Sequence, residues 1–524
     1  MIDGNGLPPT ADLEAVLPRE DPPKSPWTAY GIAPWVQPVA MWLWRFVRTW
    51  WRPETVLALM VATYVAVFGW LTWLQQANFG TFDYDMGFFD QSIWLSAHHL
   101  LGFVTIRGSN MWANHVNPII YLLVPFYWLG AGPHFLYIVQ TLSFGGSAVP
   151  LWLLAKDRLG KPWLALGIPF AWLLYPTVEW MNWWHFHPES MGVPAFLLAY
   201  WFADRGRWRW YWLCVVLVLA CKEDATFPIM ALGILLFFRR HRKEGLITLA
   251  GGLFWFIICV EAIMPAAAGG AAPFYLYRFS TLGNSMGQII WNVIRHPSRV
   301  VNLAFSPDRY AYYAKLFLPV LGVALMAPAT LFLVFPTLLE DVTNNQGYAH
   351  DIKFQYTSFV AAGIFLAVVE GLRNFKKRTI RPVVLSLCAI AVVANHAWSP
   401  SPLDHTQYRS GIWAFAPLPR TEALAAMVKL VPASAGVAAS YTVVPHLSHR
   451  DQIYTFPNPW IRSYYGLTAK TPESPKSIQY LVVDETENSP AGELLLRSLT
   501  GPHGQFRILQ HRDQALLAER RSRT

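Results

Sequence analysis

Residues 54–94 read ETVLALMVATYVAVFGWLTWLQQANFGTFDYDMGFFDQSIW. The first part, 54–76, carries a single charge at its start and is long enough to cross a bilayer, which takes about 20 apolar residues. Immediately after it, FDYDMGFFDQSIW (82–94) sets Asp83, Asp85 and Asp90 among aromatic side chains at what the span makes a membrane surface. Carboxylates cost free energy there unless something uses them. The stretch therefore predicts an integral membrane protein with chemistry on its rim.

The rest of the chain agrees. Of 524 residues, 54% are hydrophobic and only 14% are charged, where a soluble chain carries about 25% charged residues. The 26 Trp suit bilayer interfaces. The net charge of +9 is gathered in short clusters between apolar runs, such as Arg205/Arg207/Arg209 and Arg239/Arg240/Arg242/Lys243. Such clusters read as cytoplasmic loops, because cationic loops resist translocation. No basic stripe falls on a soluble domain, so nucleic acid is not expected as a partner. The four cysteines, Cys214, Cys221, Cys259 and Cys388, all lie in or beside apolar segments and read as packing residues.

This predicts an α-helical polytopic membrane protein of about 11 spans, with 12 or 13 as the margin. Residues 1–34, rich in Pro and acids, read as a disordered cytoplasmic tail. Residues 35–53 mix Trp with Arg and suit an interfacial amphipathic helix. Residues 54–398 form the transmembrane domain, with an outer loop at 77–133. Within that loop, 117–131 is expected to be a short helix that does not cross. After Trp398 the hydropathy falls. Helix candidates at 421–430 and 491–499, strand candidates at 436–441, 452–456 and 479–484, and a terminal pair near 505–519 predict a small extracytoplasmic α/β domain over 399–524.

Titratable residues gather at the outer ends of the spans. Asp83, Asp85 and Asp90 are joined by Arg107, His115, Glu179, HFHPES (185–190) and KED (222–224). Later loops add Arg278, Glu340, Asp341 and Lys353. In an extended segment His185, His187 and Glu189 point the same way, so they can bind a divalent cation or orient an acid. Lys222 reads either as a satisfied ion pair or as a cation for phosphate, held by Glu223 and Asp224. Asp90 reads as a helix cap or as a functional acid. Phosphate-loop and dinucleotide fingerprints are absent.

Together with NHVNPIIYLLVPFYWL (114–129), HFHPESMGVPAFLLAYW (185–201), CKEDATFPIMALGI (221–234) and YLVVDE (480–485), the opening stretch resembles a bacterial family of polytopic membrane proteins, DUF2079, placed in the GT-C superfamily of membrane glycosyltransferases. The likeness covers roughly residues 55–485. It implies inverting transfer of a sugar from a polyprenyl-phosphate donor to a lipid or cell-envelope glycan acceptor, on the outer side of the bacterial inner membrane. It also implies that Asp85, or Asp83 as second choice, is the acid of the first outer loop, that Asp90 is a second family acid, and that His115 with Pro118 occupies a charged-residue-plus-Pro motif. His187 and Glu189 fall where a further outer-face polar group sits. Gln355 stands where the family carries His.

The residues fit this chemistry. A general base must reach the acceptor hydroxyl, and Asp85 supplies one. The lipid phosphate that leaves needs cations, and Lys222, Arg278 and Lys353 are available. Partial burial is expected to raise the Asp85 pKa and strengthen it as a base. No cofactor is required; a divalent cation is optional, because Lys and Arg can do its electrostatic work. Two other classes remain open: a transporter or flippase for a lipid-linked substrate, and a non-catalytic scaffold on the same fold. Transport calls for ionisable residues inside spans, and these spans carry almost none.

Overall fold

The computed structural model describes residues 52–100, 102–270, 274–409, 411–414, 417–462 and 474–521, with Val39 and Trp42. The tail expected over 1–34 lies outside the described residues, as does most of the interfacial helix expected over 35–53. Leu57–Thr524 form one compact unit and Met1–Val56 another.

Helix α1 (Pro53–Ala77) is the first span, about 38 Å long against a hydrocarbon core of about 30 Å. The loop expected on the outer side follows, carrying α2 (Phe88–Ala97), the two-stranded ribbon β1 (Phe103–Val104) and β2 (Ser109–Asn110), and α3 (Pro118–Tyr127). At ten residues α3 is about 15 Å long, too short to cross. It leaves Leu122, Phe126 and Trp128 exposed. Next come α4 (Pro133–Leu159), α5 (Pro162–Leu173), α6 (Pro176–Trp183), α7 (Glu189–Asp204), α8 (Trp208–Leu219), α9 (Thr226–Phe238) and α10 (Arg242–Ala267). A second segment outside the long helices holds α11 (Met286–Arg295) and α12 (Pro297–Ala304). It is followed by α13 (Tyr310–Phe317), α14 (Phe335–Thr343), α15 (Gln355–Leu372) and α16 (Lys377–Trp398).

Among the described residues, five helices are long and apolar enough to cross a membrane: α1, α4, α10, α15 and α16. The other expected spans are shorter or broken. The segment expected at 162–181 breaks before Pro176, and that at 312–327 breaks at Leu321 and Gly322, both with positive φ. The difference has a physical cause. A lipid-facing helix must satisfy its own backbone, whereas one lodged among other helices can be interrupted. Helix α7 buries 11 of its 16 residues. Helix α15, apolar on every side, is buried at every position from Ser358 to Leu372 and forms the centre of the bundle.

Beyond α16 the expected elements appear as α17 (Pro419–Val428), β3 (Val437–Ala439), β4 (Ile453–Thr455), β5 (Tyr480–Asp484), α18 (Pro490–Thr500) and the hairpin β6 (Phe506–Arg512) and β7 (Ala515–Arg520). The sheet order is β4-β3-β5-β7-β6, parallel in the first three strands and antiparallel in the rest. One face of the sheet and α17 share a core with the outer loop, where Met86, Ile93, Ile120, Leu424, Val444 and Leu517 are all buried. The edge of β4 is closed by one hydroxyl: Thr105 Oγ1 donates to the Ile453 carbonyl at 2.7 Å and accepts from its N–H at 3.0 Å. An edge capped by a side chain resists pairing with another strand.

Candidate active site

The chain leaves α1 at Ala77 and makes one π-helical turn, Asp83–Gly87, before α2. That turn is held from the C-terminal sheet. The Asp83 N–H donates to the Tyr441 carbonyl at 2.9 Å, and Thr455 Oγ1 donates to the Asp83 carboxylate. Asp83 is thereby buried, and burial, opposed by the Thr455 hydrogen bond, pushes its pKa up to about 6.

Asp85 points the other way. Its Oδ1 lies 3.5 Å from His187 Nε2, its Oδ2 lies 3.9 Å from His185 Nδ1, and Trp184 Nε1 donates to Oδ2 at 3.1 Å. Burial raises its pKa, but the charge and hydrogen bond of His187, followed by His185 and Trp184, outweigh burial and hold it at about 2. This reverses the sign expected from partial burial, because the expectation left out the imidazole. The His187 main chain is held by Gln140, whose Oε1 accepts the backbone N–H of His187 at 3.0 Å. The His187 ring Nδ1 sits 2.8 Å from the His185 carbonyl. A carbonyl beside one ring nitrogen and a carboxylate beside the other both favour the protonated form of the ring. Its pKa is raised accordingly: burial lowers it, and Asp85 more than reverses that. His185 is driven down to about 4, first by burial, and stays neutral.

Glu189 does not join the histidines. Pro188 starts α7, so the extended geometry ends before Glu189, and its carboxylate meets Lys222 Nζ at 3.3 Å. The trio His185, His187 and Glu189 expected for a metal is thus not assembled. Among the described residues no group of three His, Cys, Asp or Glu is placed to hold a metal ion. Lys222 is completed by Asp224 at 2.6 Å and stands over the Tyr356 ring. Glu223 accepts from the Val116 N–H at 3.1 Å and meets His115 Nδ1 at 2.6 Å, which ties the loop at 115 to the end of α8. Burial, then the charge of Lys222, lowers the His115 pKa.

Asp85, His115, His187, Glu189, Lys222 and Arg278 line one polar chamber of about 60 Å³. Arg107 and Tyr356 line it as well. Arg107 stacks over Tyr84 and Phe88. Arg278 stacks over Tyr348 and Tyr356 and donates to the Tyr356 hydroxyl at 3.2 Å. Four of these residues, His115, Lys222, Arg278 and Tyr356, also line a second cavity of about 360 Å³. Glu223, Asp224, Glu340 and Asp341 lie on that cavity too, but most of its wall is apolar, including Phe227, Leu253 and Phe256. The aliphatic face of α11, with Met286, Ile289 and Val293, closes one side. The adjoining face of α11 leaves Trp291 62% and Ile294 71% exposed.

Four predicted residues, Asp83, Asp90, His185 and Lys353, line neither cavity. Asp90 caps nothing. Its buried carboxylate accepts from Tyr127 at 2.6 Å and Ser448 at 2.5 Å, and meets His449 at 3.1 Å, joining α2, α3 and the segment after β3. Lys353 stands over Trp180 and also lines neither cavity. Conversely, Arg107, Tyr84, Tyr356 and Gln355 line the chamber without having been singled out for binding. Arg107 did belong to the outer set of titratable residues, which is the only sequence signal it offers.

A family model described as "Predicted membrane protein (DUF2079)" matches residues 75–517. Among solved structures the chain is similar to ArnT from Cupriavidus metallidurans bound to undecaprenyl phosphate, with a TM-score of 0.55 at 11% identity, covering 87% of this chain and 97% of that one. It is also similar to the apo state of the same protein, with a TM-score of 0.54 at 10% identity and the same coverage. At these identities the likeness is one of fold. No curated protein matches by sequence.

Proposed function

The chain belongs to the DUF2079 family of predicted membrane proteins, and from that premise we propose that it is a membrane glycosyltransferase. It takes a sugar from a polyprenyl-phosphate donor and passes it, with inversion, to an extracytoplasmic lipid or glycan. The observation that carries the reading is that the two cavities share His115, Lys222, Arg278 and Tyr356 as lining residues. A small polar chamber around an ionised carboxylate thus has the cations Lys222 and Arg278 in common with a larger apolar cavity. A lipid phosphate has this division of character, with a chain for the apolar space and a charged head for the shared cations. ArnT, whose fold the chain shares, was crystallised with undecaprenyl phosphate.

In this mechanism the acceptor oxygen forms a bond to the anomeric carbon while the bond from that carbon to the phosphate oxygen breaks. The electron pair leaves on the phosphate, where Lys222, Arg278 and Arg107 offset the charge. The hydroxyl proton passes to Asp85. A carboxylate held near pKa 2 is a weak base at rest. It suffices when transfer is late, because the hydroxyl becomes strongly acidic once its oxygen is bonded to carbon. The same ionised carboxylate stabilises positive charge developing at an oxocarbenium-like centre.

The test is Asp85→Asn, which keeps the shape and removes the basicity. In membranes supplied with polyprenyl-phosphate sugars, transfer should fall about 10²- to 10⁴-fold. Undiminished turnover would remove Asp85 from the mechanism.

A further inference from the structure

At the end of the bundle opposite the chamber, the last turns of α4, α7, α9 and α15 meet in one ion network. Arg158 donates to Asp204 at 2.8 Å and 2.5 Å and to Glu370 at 2.9 Å and 2.7 Å. Tyr200 donates its hydroxyl proton to the same Glu370 oxygen at 2.9 Å, and Arg373 meets the other oxygen at 3.0 Å. The Tyr200 oxygen then accepts from Arg239 Nη2 at 2.8 Å, and Thr330 Oγ1 accepts from the same nitrogen at 3.2 Å. Arg239 also stacks over the Tyr200 ring, 5.1 Å from its centroid. Both acceptors of Arg239 are neutral, and among the described residues no carboxylate lies within ion-pair distance of it.

Arg239 lines a separate cavity of about 190 Å³ together with Tyr200, Asp204, Leu232, Leu236 and His241. That is space for about six waters at liquid density. The acid on its wall, Asp204, is already committed to Arg158. Leu232 and Leu236 give the lining an aliphatic part, and Phe238, 77% exposed, and Trp210, 56% exposed, stand on α9 and α8 nearby in the chain. Exposed aromatic side chains beside a basic loop mark the headgroup level of a bilayer. Arg207, Arg209, Arg240, Arg242 and Lys243 add positive charge at this same end, which charge bias assigns to the cytoplasm.

We propose that the cavity at Arg239 binds the phosphate headgroup of an acidic phospholipid from the leaflet opposite the candidate active site. Arg239 and His241 face the phosphate, and the Leu232/Leu236 wall takes the start of the acyl region. Basic pockets between transmembrane helices at the cytoplasmic face recognise anionic headgroups in this way. The guanidinium is oriented by Tyr200 and Thr330 before any ligand arrives, so little side-chain entropy is lost on binding. The proposal does not depend on the transferase reading, since it uses no residue of the chamber.

The test uses full-length protein, purified in detergent and stripped of lipid, with thermal unfolding read by tryptophan fluorescence. Saturating phosphatidylglycerol should raise the unfolding temperature by about 2–4 °C, and phosphatidylcholine should not. Arg239→Gln and His241→Gln should each lose most of that shift, while Arg239→Lys keeps part of it. Arg209→Gln and Lys243→Gln, which alter exposed charges outside the cavity, should keep all of it. His241→Gln leaves the Tyr200–Glu370 network intact, so it tests the site even if Arg239→Gln folds poorly. A full shift in both cavity variants would overturn the proposal. So would an equal loss in Arg209→Gln or Lys243→Gln, which would mean diffuse surface attraction. An equal response to phosphatidylcholine or to inorganic phosphate would remove the acidic lipid as the ligand.

Discussion

Asp83 and Asp85 stand two residues apart and are driven in opposite directions, one to about 6 and the other to about 2. Linkage gives each a different signature. The Asp83 carboxyl has a raised pKa, so the folded state favours its protonated form, and the stability it contributes is lost as pH rises through about 6. At pH 8 its ionisation costs on the order of 3 kcal/mol. Asp83→Asn should therefore raise the unfolding temperature over that of the natural protein clearly more at pH 8 than at pH 4.5, a comparison that thermal melts at the two pH values settle. Asp85 behaves inversely: the stability it contributes is present above its unfolded pKa and lost only as pH falls toward 2. His187 sustains that low value, and His187→Asn should let burial reassert itself. The acidic limb of the pH–rate profile should then move upward, and an unmoved limb would show that Asp85 is not the group titrating. The acids themselves were legible as charges beside a span. Their opposite environments were not, because Thr455 and His187 approach from about 370 and 100 residues away along the chain.

At the scale of elements, two contacts fix how neighbouring parts of the chain pack. Helices α9 and α10 pack so closely that a side chain at Gly245 would bring its Cβ within 2.6 Å of the Gly233 carbonyl oxygen and the Phe237 nitrogen. Both are backbone atoms that cannot step aside, which is the small-residue packing that lets membrane helices approach. Gly245→Val should lower stability by about 1–3 kcal/mol, seen as earlier thermal aggregation of the solubilised protein. The second contact is Asp90, whose three donors come from α3 and the C-terminal region. Removing a buried, fully partnered carboxylate in Asp90→Ala should cost roughly 3 kcal/mol and expose the 444–450 segment to protease. A first-turn acid reads in sequence as a cap, and here it serves instead as a joint, because Tyr127 and Ser448 offer stronger donors than the helix's own N–H groups. Strand and helix positions after Trp398 were legible from alternation and turn residues. The sharing of their core with the outer loop was not, because that loop reads as a separate stretch of the transmembrane part.

On the scale of the whole molecule, the Arg158–Glu370 network gathers one set of helix ends and the chamber gathers the other. Single cysteines should report which side each occupies. A membrane-impermeant thiol reagent on intact cells should label positions 98 and 405, and should label 209 and 376 only after permeabilisation. The natural cysteines are buried or half-buried, so the background is low. Hydropathy and the placement of Arg and Lys are enough to read a helical membrane protein, its sidedness as an expectation, and the rim on which its polar chemistry lies, because these follow from transfer free energies that each segment carries by itself. Which acids face a common chamber, which cations join them, and which proton state each prefers come from packing. The cost of a buried charge depends on the neighbours that surround it, and here those neighbours arrive from distant parts of the chain.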